Sequence, residues 1–176
     1  MRLIDLSVPL RDGMDVYPGD PPVRLRQAHS LPEHGWRLTE ISLGSHAGTH
    51  VNAPWHMSEH GARLEDLPWS ALAGRAVVRG RGPVEAGLGL IYADFPLDGE
   101  ECALVLAARP PFVACALEHP LDLGVERALC AAGIVSFENL ANTALLPRGA
   151  AFTFLGLPLP VGGDGAPVRA VALLDG

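Results

Sequence analysis

The sequence predicts a mixed α/β domain in which strands outnumber helices and the sheet curls toward a barrel. Two observations predict it. Short apolar or β-branched runs recur along the chain with Gly, Pro and Asp between them, and only one stretch has clear helical spacing. A third observation sets the extent: 176 residues without a repeat or a linker-like shift in composition fit a single domain over 1–176.

Taken in order, "RLIDLSVPL" at 2–10 alternates well enough for a strand, and "RDGMDVYPGDPPV" after it is an irregular loop. "RLTEISLGSHAGTHV", residues 37–51, alternates again and reads as a strand. A short helix fits 66–73, stopped by Gly74. "GRAVVRGRG", "CALVLAA" and "FVACAL" read as strands. The spacing of Val125, Leu129 and Ala132 makes 124–133 a helix, with Gly133 as its natural C-terminal stop. "IVSFENL", "AAFTFLGLPLPV" and "APVRAVALL" complete the strands.

Composition excludes several functions. A net charge of −7 with no basic stripe argues against nucleic acid as a partner. No apolar run approaches the roughly 20 residues of a membrane helix, and "MRLIDLSVPL" has no secretory apolar core, so the reading is a cytoplasmic protein with no membrane partner. All 13 basic residues are arginines, so no lysine can act as a base or form a Schiff base. Cys102, Cys115 and Cys130 are widely spaced in apolar runs and read as reduced core thiols.

The chemistry is concentrated in "SHAGTHVNAPWHM", residues 45–57, which holds three of the seven histidines. On an extended chain His46, Gly48, His50, Asn52, Pro54 and His56 point to one side, and Ala47, Val51 and Ala53 point to the other. Fully extended, the Cα atoms of His46 and His50 would stand roughly 13 Å apart, too far to share one ion comfortably, at about 3.3 Å per residue. The chain must therefore bend between them, and Gly48 is placed to allow it. A metal site and an acid/base site both fit this pattern.

"HAGTHVNAPWH" resembles the His-x-Gly-Thr-His-x-Asp-x-Pro-x-His motif of the cyclase family, which includes bacterial kynurenine formamidase and isatin hydrolase. "IDLSVPLRDGMDVYPGDPPV", "LEDLPWSALAGRAVV" and "LGLPLPVGGDGAPVRAVAL" extend the resemblance over most of the chain. It implies a swivelling β/β/α-like fold with a curved or barrel-like sheet, a small-molecule substrate and a homo-oligomer. It also implies a divalent metal, Zn or Mn, held by His46, His50 and the residue at 52, with His56 as proton donor and acceptor. Tyr17 falls where the family often has an aromatic residue on the substrate, and Trp55 is a further candidate for that contact.

The departures from the motif matter as much. The motif aspartate is Asn52, a neutral and weaker ligand, so one ion is expected, bound weakly or not at all. By resemblance Glu126 stands where the formamidases carry a second histidine, which makes it a catalytic candidate, and Thr153 stands where they carry a carboxylate. The leading reading is hydrolysis of an amide, lactam or lactone by a metal-activated water. A metal-independent acid/base enzyme and a non-catalytic binding protein remain alternatives.

Overall fold

The computed structural model describes residues 1–174. Its ten strands are β1 (Arg2–Asp5), β2 (Arg24–His29), β3 (Leu38–Ser42), β4 (His50–Asn52), β5 (Ala73–Val78), β6 (Gly89–Tyr92), β7 (Phe112–Ala116), β8 (Val135–Leu140), β9 (Phe152–Pro158) and β10 (Gly165–Leu174). Three helices accompany them: α1 (Leu31–His34), α2 (Gly99–Ala108) and α3 (Leu123–Ala131).

Seven strands close into the expected barrel-like sheet, in the order β10–β4–β8–β7–β6–β5–β9 and back to β10. The ten-residue β10 makes the closure. Its first residues pair with β4, and Val168–Leu173 pair with β9. β5 through β8 run parallel, with α2 and α3 as crossovers between β6, β7 and β8, whereas β4, β9 and β10 are antiparallel to their neighbours. β1 adds to the free side of β10, and β2 with β3 forms a separate hairpin.

The parallel strands are covered on both faces, which is why they read as unbroken apolar runs. Ala76, Ile91, Phe112, Ala114 and Phe137 point into the barrel. Val77, Leu90, Tyr92, Val113 and Cys115 point out, against Cys102 and Val105 of α2 and Val125 and Leu129 of α3. Cys102, Cys115 and Cys130 are all buried free thiols.

Inside the barrel the rings of Phe112, Phe137 and Phe154 stack edge to face or tilted, 5.0–5.7 Å apart. They fit because two strand positions opposite them lack side chains: a Cβ at Gly89 would lie 2.2 Å from the Phe112 ring, and one at Gly156 would lie 2.4 Å from that of Phe137.

Several local expectations are corrected. "CALVLAA" belongs to helix α2, not to a strand. Its residues are nearly all apolar, so no period shows, and the deciding signal is Asp98, whose carboxylate caps the helix by accepting from the Glu101 N–H at 3.0 Å. The helix expected at 66–73 is two 3-10 turns, Leu64–Asp66 and Trp69–Ala71, parted by Pro68. The strand expected over 37–51 divides into β3 and β4, with turns from 45 to 49. The first strand stops at Asp5, and β2 and β6 went unread.

The aromatic wedge also sets the position of β8, whose Phe137 precedes Glu138. Gly156→Ala is expected to force the Phe137 ring aside and to destabilise the fold by about 1–3 kcal/mol. Chemical denaturation checks this, with an unchanged midpoint as the contrary result.

Candidate active site

The His46–His56 segment enters a cavity of about 540 Å³ at one end of the barrel, lined by His46, Gly48, His50, His56, Glu126, Glu138 and Asn139 and, toward its mouth, by Tyr17, Met14 and Leu121. The expected bend is at Gly48, whose φ is +63°. A side chain there would be strained and would also meet Leu10, since a Cβ would lie 2.9 Å from its Cδ2. Thr49 locks the turn from both sides. Its Oγ1 accepts from the Val8 N–H at 2.8 Å and donates to the Asn139 carbonyl at 2.6 Å. Gly and Thr of the Gly-Thr-His motif are thus explained by backbone geometry and anchorage.

His50 and Asn52 share one face of β4 as the alternation requires. His50 Nδ1 donates to the Gly48 carbonyl at 2.8 Å, and Nε2 faces Glu138 Oε1 at 3.7 Å. The same carbonyl accepts from Asn139 Nδ2 at 3.0 Å. Asn139 is the extra residue of a bulge: Ala114 pairs with Phe137, but Ala116 pairs with Leu140. Its left-handed φ of +58° lets two consecutive residues, Glu138 and Asn139, both face the cavity.

Asn52 is buried at the meeting point. Its Oδ1 faces His46 Nδ1 at 2.8 Å. Its two amide hydrogens are shared among Glu138 Oε1 at 2.8 Å, Glu126 Oε1 at 3.0 Å and Ser136 Oγ at 3.2 Å. These contacts fix the amide orientation, because only the NH₂ end can face carboxylates. His46 Nδ1 is therefore the donor to Asn52. Its Nε2 faces Asp164 Oδ2 at 2.8 Å, and His56 Nδ1 lies 3.2 Å from the same oxygen. On the other side of its ring, His56 Nε2 lies 3.4 Å from Glu126 Oε1.

The electrostatics separate the carboxylates. Burial, reinforced by Glu138, pushes Glu126 up to about 7. Burial opposes the charge on Glu138 too, but His50, Asn52 and the Leu121 N–H hold it below the usual glutamate range. Asp164 also overcomes its burial, chiefly through His46, and sits at about 2. Burial and then the neighbouring His46 push His56 down. Two carboxyl groups with opposite displacements in one site are what acid/base chemistry requires.

His46, His50, Asn52, His56 and Glu126 are therefore all brought together. His46, His56 and Asp164 form a cluster whose ligand atoms lie within 4.8 Å of one another. Of the other residues read as ligands, His50 Nε2 faces Glu138, and Asn52 faces His46 through its carbonyl oxygen and Glu126, Ser136 and Glu138 through its NH₂ group. Tyr17 lies at the mouth. Trp55 is not among the residues lining the cavity: its ring lies under the Arg63 guanidinium at 3.8 Å. Thr153 lies on β9, paired with Arg75 of β5, and is not among the residues lining the cavity, whereas Glu138 on β8 is. Asp164 and Glu138 went unread, although a lone acid within the apolar run "IVSFENL" was a signal for the second. A more open groove of about 590 Å³ between α2 and α3 has only apolar side chains and two helix-capping aspartates, and holds no comparable set.

Comparison with known proteins agrees with this geometry. The Cyclase family model matches residues 4–80. The kynurenine formamidase of Salinibacter ruber is 30% identical over 97% of this chain and 97% of its own length. That of Paracidovorax citrulli is 29% identical over 96% and 95%. Among solved structures, isatin hydrolase A from Labrenzia aggregata shares the fold with a TM-score of 0.79 at 19% identity, covering 97% of this chain and 93% of that one. A potential metal-dependent hydrolase with cyclase activity gives a TM-score of 0.75 at 22% identity, over 97% and 96%. The motif residues, the closed sheet and full-length similarity to two formamidases converge: the chain belongs to the cyclase family of enzymes.

Proposed function

We propose that the chain is a hydrolase of a small amide, lactam or lactone, with water activated in this cavity and one divalent ion assisting. The observation that carries the reading is the contact between His56 and Glu126 beside the His46–His56–Asp164 cluster. It is supported by the amide-cleaving formamidases to which the chain is related.

The donor set fits a metal. With Nδ1 of His46 donating to Asn52, its Nε2 is the atom left for Asp164, and the 2.8 Å between them is a hydrogen-bond separation whose proton a bound metal ion would displace. His46, His56 and Asp164 would hold a Zn or Mn ion as a two-histidine, one-carboxylate set. Such an ion supplies Lewis acidity and brings the pKa of a water toward neutrality.

Proton transfer falls to Glu126. Both nitrogens of His56 are engaged, Nδ1 at Asp164 and Nε2 at Glu126, so His56 orients the carboxylate as well as serving the ion side. Glu126 takes a proton from the attacking water and delivers it to the leaving nitrogen or oxygen as the bond to the carbonyl carbon breaks.

A base must be deprotonated to act, so kcat/KM is expected to rise with pH through about 7, the position of Glu126. Glu126→Gln should remove that inflection and lower kcat by roughly 10²–10⁴-fold. His56→Ala should lower turnover and metal content together. A pH–rate profile unchanged in Glu126→Gln would refute the assignment.

Asn52→Asp tests the ion. It replaces two donors with a third carboxylate beside Glu126 and Glu138, an arrangement that a cation must neutralise. The variant is expected to unfold at lower temperature than wild type in chelator, to recover on adding Zn or Mn, and to bind more metal per chain by elemental analysis. The wild type should hold at most one ion. Lower occupancy in the variant, or wild-type activity untouched by chelator, would favour the metal-independent acid/base reading that Asn52 invites.

The same reading includes a homo-oligomer. The β2–β3 hairpin stands apart from the barrel and exposes Trp36, Leu38 and Ile41, the last by 64%. A two-stranded hairpin is marginal by itself, and a second copy of the chain would cover these side chains. Light scattering should show a dimer or larger species that Ile41→Glu dissociates; a monomeric wild type would refute this.

A further inference from the structure

The charge in the cavity is one-sided. Asp15, Asp20, Glu126 and Glu138 line it and Asp164 adjoins it, while among the described residues no arginine does. The chain has no lysine, and four of its arginines are paired elsewhere: Arg26 with Glu40, Arg79 with Glu101, Arg148 with Asp94 and Arg169 with Asp5. One divalent ion would offset only part of this negative charge.

The mouth adds a shaped element. Tyr17-Pro18-Gly19-Asp20 is a type II turn: proline at the second position, Gly19 at the third with φ +101°, and the Asp20 N–H donating to the Tyr17 carbonyl at 3.0 Å. The turn belongs to a loop pinned by the Leu25 N–H on Asp12 Oδ1 at 2.8 Å and by the Gly13 N–H on the Val23 carbonyl at 3.0 Å. It holds an exposed phenol ring and a carboxylate side by side on the rim, with Asp15 close in sequence. Among the described residues, no hydrogen bond, ion pair or ring contact engages the side chains of Asp15, Tyr17 or Asp20. An aromatic face with adjacent carboxylates is suited to an ammonium group. The same cavity is also lined by apolar side chains, among them Met14, Met57, Leu117 and Leu121.

Resting on the reading of this cavity as the hydrolytic site, we propose that it selects its substrate by charge. It takes a small amide that bears an ammonium group, seated at Asp15, Tyr17 and Asp20 with an apolar spacer reaching the reacting carbonyl, and it turns away carboxylate-bearing amides.

Three formanilides test this, with aminomethyl, methyl or carboxymethyl in the para position. The methylene insulates the formamide from each charge, so intrinsic reactivity is matched. Hydrolysis adds the oxygen of water to the formyl carbon, breaks its bond to nitrogen and gives the nitrogen a proton, releasing formate and the aniline. Turnover of the methyl compound reads the hydrolase assignment, and the ratio of the charged pair reads the charge proposal. The amine-bearing compound is expected to exceed the carboxylate-bearing one by about tenfold or more in kcat/KM at low salt. That ratio should shrink in about 0.5 M salt and fall several-fold in Asp20→Asn. Equilibrium binding of the same compounds, by calorimetry, gives the order where turnover is absent. Binding in the expected order without turnover supports the charge proposal and counts against formamide hydrolysis. Turnover with no dependence on charge, a preference for the carboxylate, or no binding by any of the three overturns the proposal.

Discussion

The buried amide of Asn52 is the contact on which the rest of the site depends. It joins His46 from the turn before β4, Ser136 and Glu138 from β8, and Glu126 from α3. Two carboxylates this close repel unless donors or a cation lie between them. The NH₂ group supplies the donors, and its carbonyl end decides which nitrogen of His46 is left for Asp164. One neutral side chain thus orients His46 and tethers two acids.

Left-handed backbone at two points does the positioning around that amide. Gly48 and Asn139 both adopt left-handed φ values, and the two are joined through the Gly48 carbonyl and the Thr49 hydroxyl. For Asn139, a residue other than glycine, that conformation is held by its surroundings. Here the surroundings are the closing strand β10, which pairs with β4, and the aromatic wedge that seats β8. The barrel interior is therefore what makes the polar end rigid.

Charge is distributed so that each acid has a different task. Glu138 is kept ionised by donors, Asp164 is held low beside His46, and Glu126, the most weakly supported, is raised toward neutrality. A site built from three carboxylates would ordinarily titrate as a repelling cluster. The histidines interposed at His46, His50 and His56 divide it into separate pairs. The acidic rim at Asp15 and Asp20 extends the same negative field outward, where it acts on what approaches the cavity rather than on the reaction.

The sequence by itself determined the strand-rich class, because doubly covered strands announce themselves as apolar runs. It determined the bend at Gly48, because two histidines four residues apart cannot converge on an extended chain. It also determined that His46, His50, Asn52 and His56 share a site, because their chemistry is local. It misread 102–108, where an all-apolar helix has no period to see. Only the tertiary structure decided which side chains complete the site. Asp164 is 118 residues from His46, and Glu138 is 86 from Asn52. Each is an isolated acid in its own segment, and closure of the barrel by β10, together with the bulge in β8, is what carries both to the histidines. The tertiary structure likewise decided that Asn52 serves as a hydrogen-bond hub, since the orientation of an amide is set by its neighbours and they lie on other elements.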